Sequence, residues 1–292
     1  MHAANHPVVS VVMSFFNAGA TLGRALRSLQ LQNFPHWELL LFDDGSTDDG
    51  AAVVAALSDP RIRLMRDGTR RGLPARLNQG IAQAHGMYIA RIDADDVAFP
   101  ERLSRQLDYL NRQPQVDLLA TSALLVDAED GVLGVLPAGL SHEAICSRPW
   151  QGFPMPHPTW MGRTDWFRQN PYDEAATKAQ DQVLLYKTYR TSRFAGLPDV
   201  LLGYRYPGLS VRKTLVGRYH YLRSVASVDT RHALRGGLTH GAAALRDLAA
   251  LATGTGQVVI RRRATPADAP TLASWNDLNH RLTQGMSVEG SR

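Results

Sequence analysis

The sequence predicts an α/β fold, a mostly parallel sheet flanked by helices, followed by a helical C-terminal extension. Three observations carry this reading. Short runs rich in Val, Ile and Leu alternate with stretches of helical spacing through the first hundred residues. Acidic and amide side chains gather where those runs stop. Beyond about Arg212 the composition turns rich in Ala, Arg and His.

Taken in order, Val8 to Met13 reads as a buried strand. Thr21 follows as an N-cap, with Leu22, Ala25, Leu26 and Leu29 at i, i+3, i+4 and i+7 of a helix. Trp37 to Phe42, Ile62 to Met65 and Tyr88 to Ile92 read as further strands. The helices between them are marked by Val53, Val54 and Leu57, and by Leu73, Leu77, Ile81 and Ala84. Leu103, Leu107 and Leu110 share a face of the helix opening after Pro100. Continuous apolar strands joined by helices belong to a parallel sheet covered on both faces, with right-handed crossovers. Ligands in such sheets bind outside the carboxyl ends of the strands. Asn17, the Asp43–Ser46 turn and the Asp93–Asp96 turn therefore share one rim.

From Val116 to Leu136 the pattern shortens, and Pro149, Pro154, Pro156 and Pro158 break the next stretch into loop and extended backbone. Helical spacing returns after Asp181 at Val183, Leu184 and Lys187. Residues 1–212 read as one catalytic-sized unit, and 213–292 as a basic, helical extension with a poorly specified tail. Leu238, Ala242, Leu245, Leu248 and Leu251 give that extension an amphipathic face. Such a face lies on a membrane, packs on a partner, or folds back onto the first unit.

Composition narrows the class. Of 292 residues, 44% are apolar and 20% charged, the range of an ordinary globular chain. One cysteine, Cys146, forms no intrachain disulfide and points to a reducing compartment. No leader-like segment and no run of about 18 apolar residues is visible. A cytoplasmic place is expected, with peripheral contact at the inner membrane face open to the basic extension. The net charge of +5 invites a polyanionic partner, but the surplus Arg collects late, ending in Arg261–Arg263. That run has no interleaved aromatic residues for stacking on bases, so no nucleic-acid partner is expected.

Three carboxylates in Asp93-Ala94-Asp95-Asp96 repel one another unless a cation joins them. A hard divalent ion, Mg2+ or Mn2+, meets that need, and an acidic turn before the next helix is the plainer account. The spacing is not that of a calcium loop: from Asp93 the sixth position is Ala98 and the twelfth Ser104. No glycine-rich dinucleotide or Walker motif occurs. In Asp43-Asp44-Gly45-Ser46-Thr47-Asp48, Ser46 or Thr47 suits a helix cap, while a carboxylate suits a base or ribose. His157 is a candidate ligand or a hydrogen-bonded structural residue, and Trp150 and Trp160 suit sugar stacking or buried packing.

Val8 to Asn17, the Asp-Asp-Gly-Ser-Thr-Asp turn at 43–48, and Tyr88 to Asp96 with Pro100-Glu101-Arg102-Leu103 together resemble glycosyltransferase family 2. The resemblance runs from about Pro7 to Arg212. It implies a GT-A fold, a Rossmann-like sheet, and an inverting, metal-dependent transferase using a nucleoside-diphosphate sugar, in surface polysaccharide or glycolipid assembly. By motif position, Phe16 and Asn17 line the nucleotide pocket, Asp44 meets the base, Asp93 lies near the ribose or donor sugar, and Asp95 holds the metal. The family's base follows a Tyr-Asp-Glu segment; here Tyr172-Asp173-Glu174 precedes Gln180-Asp181-Gln182, which gives Asp181 that role. The acceptor implied is a glycan or a lipid-linked sugar. Ser14 stands where the family often has Pro, and Gln180 where it usually has Glu. A non-catalytic nucleotide- or sugar-binding protein on the same fold is the alternative, against which Asp44, Asp95 and Asp181 are all retained.

Overall fold

The computed structural model describes residues 6–206, 208, 210–252 and 264–289. Its strands are β1 (Val9–Phe15), β2 (Trp37–Asp43), β3 (Ile62–Arg66), β4 (Tyr88–Arg91), β5 (Val97–Ala98), β6 (Leu118–Val126), β7 (Val132–Leu136), β8 (Met161–Arg163) and β9 (Phe194–Arg205). They form one sheet in the order β3-β2-β1-β4-β8-β6-β9-β5, with β7 paired to β6. β8, β5 and β7 run against the rest, so the sheet is mostly parallel, as expected.

β1 and β2 are largely apolar because both faces are covered. Val11, Met13, Leu39 and Leu41 point to one core, shared with Leu22, Leu26 and Leu29 of α1 (Gly19–Gln30) and Leu103 and Leu110 of α4 (Arg102–Arg112). Val12, Leu40 and Phe42 point to the opposite core, shared with Leu77 and Ile81 of α3 (Leu73–Gln83) and Leu184 and Leu185 of α7 (Gln180–Thr188). Alternate residues thus serve opposite layers. A shorter helix α2 (Gly50–Ala56) packs beside α1, and α5 (His142–Ile145) and α6 (Thr164–Gln169) lie among the later strands.

Several local expectations change. Helix α1 starts at Gly19, placing Thr21 inside its first turn; the Thr21 hydroxyl donates to the Ala94 carbonyl at 3.0 Å instead of capping. Neither Ser46 nor Thr47 caps α2. Asp48 takes that work, its carboxylate accepting the N–H of Gly19 at 2.7 Å and of Gly50 at 3.2 Å. The segment after Val116 is not irregular: β6 is nine residues long and wholly buried, because β9 and β8 flank it on either edge.

The extension forms a helical hairpin, α8 (Val211–Val228) and α9 (Thr230–Ala252), and a last helix, α10 (Ala269–Glu289). α8 packs on α7, and Tyr221 and Val225 complete the core beneath it. α10 is better specified than its polar composition suggests. Trp275, Leu278 and Leu282 are buried against Val97, Phe99, Leu124 and Val126. The Trp275 ring lies over Gly203, where a Cβ would meet it at 2.4 Å. Arg261–Arg263 lie outside the described residues. Among the described residues no helix is long and apolar enough to cross a membrane.

Candidate active site

β1 and β2 end in register, Phe15 opposite Asp43, so the two turns that follow lie side by side. Asn17 adopts a left-handed φ of 50°, which Asn tolerates better than most residues. Its Oδ1 accepts the Thr47 N–H at 2.8 Å, and its own N–H donates to Ser46 Oγ at 3.0 Å. Gly45, at φ 79°, supplies the bend between these turns that a side chain would strain. Asp44 Oδ1 accepts from the Arg71 N–H at 2.7 Å and from Arg76 Nε at 3.0 Å, while Oδ2 shares the Gly72 N–H at 3.1 Å. Asp44 therefore anchors the loop before α3 and keeps acceptor capacity on Oδ2. Phe16 is 38% exposed, with the Arg70 guanidinium 3.8 Å from its ring centre. A planar ring, a cation and a carboxylate at one rim suit a nucleobase.

The acidic turn is the excursion between β4 and β5. One carboxylate oxygen from each of Asp93, Asp95 and Asp96 lies within 4.8 Å of the others. Burial, then Asp93, pushes the Asp95 carboxyl above its ordinary range. Asp96 is pushed well up, by burial first and then by Asp93 and Asp95. Asp96 Oδ1 accepts the Arg205 N–H at 3.0 Å, whereas its buried Oδ2 has no hydrogen-bond partner among the described residues. A hard cation satisfies that oxygen and relieves both repulsions, so these residues fit a divalent ion.

Asp181 sits in the first turn of α7, just after Ala179 takes a left-handed φ of 57°. Gln182 Nε2 donates to Asp181 Oδ2 at 3.2 Å, and Gln182 Oε1 in turn accepts the Phe153 N–H at 2.8 Å. Burial raises the Asp181 carboxyl; Gln182 and the field of Arg91 pull it back only in part. A carboxylate of raised pKa is a better proton acceptor.

Arg91 ties these parts together. It is buried at the end of β4 and forms an ion pair with Asp93, and its Nε and Nη1 have no hydrogen-bond partner among the described residues. Its charge acts on Asp95, Asp96 and Asp181 alike. His157 Nε2 meets the Tyr172 hydroxyl at 2.8 Å, and the His157 ring stands edge-on to Trp160 at 4.6 Å. Burial, then Arg91, holds His157 well below its ordinary pKa, so it is a neutral structural residue. Trp160 is wholly buried; Trp150 is half-buried between His232 and Arg235.

A cavity of about 1100 Å³ opens between the Gln151–Pro154 loop, the start of α7 and the α8–α9 hairpin. Phe153, Tyr204 and Tyr221 give it aromatic walls. Asp181 does not itself line it, but Ala179 and Gln182 on either side do.

The structure thus brings Asp93, Asp95 and Asp181 around Arg91, and sets Phe16, Asn17 and Asp44 at the neighbouring strand ends. Arg91, Gln182 and Arg205 were missed by sequence reasoning. Arg91 left a signal, a cation inside an otherwise apolar strand. Gln182 and Arg205 left none, since their roles depend on contacts far along the chain.

Residues 10–169 match the family model for glycosyl transferase family 2. The chain is 32% identical over 191 residues to the succinoglycan biosynthesis protein ExoO of Rhizobium meliloti (strain 1021), covering 61% of this chain and 55% of that one. It spans little more than half the length of curated relatives such as this one. In fold it is similar to S. aureus TarS, solved with UDP-GlcNAc, at a TM-score of 0.59 and 20% identity over 76% of this chain and 67% of that one. It is similar also to the mannosyltransferase PcManGT of Pyrobaculum calidifontis, solved with GDP-Man and Mn2+, at a TM-score of 0.58 and 18% identity over 95% and 85% of the two chains. The fold is thus the GT-A arrangement that the motifs imply.

Proposed function

The chain belongs to glycosyl transferase family 2, and on that premise we propose that it is an inverting hexosyltransferase. It would move a sugar from a nucleoside diphosphate to an acceptor hydroxyl in surface polysaccharide or glycolipid assembly. The observation that carries this reading is the convergence of the acidic turn and Asp181 on one buried cation, Arg91.

Residues 1–212 are read as the catalytic unit. Phe16 and Arg70 stack on the base, and Asp44 Oδ2 accepts a hydrogen bond from it. Asn17 braces this pocket by locking the two turns together. Asp93 faces the ribose or donor sugar, held by its ion pair with Arg91. Asp95, backed by Asp96, would hold Mg2+ or Mn2+, which when bound neutralises charge on the diphosphate leaving group. Asp181 takes the proton from the acceptor hydroxyl as the oxygen attacks the anomeric carbon opposite the diphosphate. One displacement inverts that carbon, and one base suffices. Gln182 fixes the Asp181 carboxylate from the cavity side, so the cavity beneath α8–α9 is read as the acceptor site, for a glycan or a lipid-linked sugar. The place of work is then the cytoplasm, at the inner membrane face for a lipid-linked acceptor.

A thermal-shift screen of UDP- and GDP-sugars with and without Mn2+ tests the donor site, since a ligand that binds only the folded chain raises its melting temperature. Analysis of the anomeric configuration of the product tests inversion. A retained configuration would remove the mechanism, and the absence of a shift with every donor would remove the donor class.

A further inference from the structure

The α8–α9 hairpin carries seven basic residues against two acids, Asp229 and Asp247, a surplus of five. The whole chain has a formal net charge of +5, so the rest of it is neutral in sum. Both acids are already engaged, Asp229 with Arg190 at 3.3 Å and Asp247 with Arg218 at 2.5 Å. Among the described residues, exposed Arg212, Lys213, Arg223, Arg231 and Arg246 have no acidic partner.

The same hairpin exposes leucines. α9 already buries Gly236 and Ala243, and half-buries His232 and Ala233, against the body of the protein, yet Leu234, Leu238, Leu245 and Leu248 are 74%, 78%, 70% and 47% exposed. At about 100° per residue these four fall within roughly 80° of one another, with Arg231, Arg235 and Arg246 about 60–120° to one side of Leu234. One stripe of the helix is apolar and its flank is cationic. Folding back is excluded for this stripe, because the face that folds back is the other one.

We infer that the outer face of α9 docks the protein on an anionic lipid surface. Leu234, Leu238, Leu245 and Leu248 enter the boundary between headgroups and acyl chains, and Arg231 and Arg246 meet lipid phosphates. A second copy of the chain is the poorer occupant, because pairing two such faces sets like charges against each other without an acid to separate them. Docking by the leucine stripe leaves the cavity on the inner side of the hairpin, between α9 and the Gln151–Pro154 loop, with Arg246 on the helix flank contributing to its lining.

Co-sedimentation of the full chain with phosphatidylcholine vesicles, with and without phosphatidylglycerol, at low and high salt, tests the inference. The protein is expected to pellet with the anionic vesicles at low salt, to pellet less at high salt, and to stay largely in solution with the neutral ones. Arg231→Gln and Arg246→Gln should each weaken partition about fivefold. Leu238→Ser with Leu245→Ser should weaken it at least tenfold, with an unchanged circular dichroism spectrum and donor-induced thermal shift. That shift reads the donor site separately, so failure there leaves the docking result intact. Equal recovery in the supernatant under all conditions, equal partition of the leucine variant, or a soluble dimer that the leucine substitutions dissociate would each overturn it.

Discussion

The Arg205 N–H donates to Asp96 Oδ1 at 3.0 Å, so the last residue of β9 orients the most buried carboxylate of the acidic turn. The Arg205 side chain extends the hold: Nε donates to the Asp95 carbonyl at 3.3 Å and a guanidinium nitrogen pairs with Asp130 at 2.6 Å. Arg205→Met removes the side-chain bonds and leaves Asp130 with Arg24 alone. Urea denaturation should report a loss of about 3 kcal/mol, and calorimetry a weaker Mn2+ titration. Unchanged Mn2+ affinity would show that the turn sets its own geometry.

Asp181→Asn keeps the shape of the first turn of α7 and removes the proposed base. We expect kcat to fall by about 10²–10⁴ while the donor-induced thermal shift persists. Near-normal turnover would exclude Asp181 as the proton acceptor.

Because burial raises the Asp181 carboxyl, the acid limb of the kcat profile should lie above the ordinary carboxylate range. Arg91 pulls the same group down. Arg91→Met should therefore move that limb to still higher pH, alongside a loss of donor affinity through Asp93. A limb that stays in place in the variant would mean that Arg91 and Asp181 are not electrostatically linked.

Asp95 bears on stability with a definite sign. Its folded pKa is raised, so its contribution is most favourable below the unfolded value, near 4, and is lost as pH rises through the folded value. Without metal, Asp95→Asn should melt at or above the parent temperature at neutral pH, the gap closing in acid. With Mn2+ the order should reverse, because the parent gains the ligand. A variant that melts lower than the parent without metal at neutral pH would contradict the direction of the shift.

How much of this could be read beforehand follows from the range of the interactions. The strands β1 to β4 were legible because each is a short run rich in apolar residues with an acid or an amide at or just past its end, and the acidic turn was legible from its own four residues. Asp181 was placed by a motif, and its surroundings were not, since Gln182 reaches Phe153 and Arg91 acts from another strand. β9 left little trace because Gly196, Pro198, Asp199 and Gly203 interrupt its apolar pattern, and its pairing partner β6 lies far back in the chain. α10 looked polar because, among the described residues, its buried apolar side chains are just Trp275, Leu278 and Leu282.

A final prediction concerns that helix. Gly203→Ala places a methyl into the Trp275 ring and should cost about 1–3 kcal/mol. Trp275→Ala should cost about 3–5 kcal/mol, read by denaturation. A smaller loss in both would mean that α10 is only loosely seated.

The seating of Trp275 has a consequence in time. Its indole packs on Gly203 and Phe99, and its Nε1 donates to the Asp130 carbonyl that neighbours the Arg205 contact. At about 5–20 residues per second of synthesis, Trp275 is added roughly 10–40 s after Asp95. Through that interval the nascent chain already carries the crowded carboxylates of the acidic turn, but not the buttress that closes over β5 and β9. The acidic turn is thus translated well before the helix that sets it, and a nascent chain stalled before α10 would display its carboxylates without their final alignment.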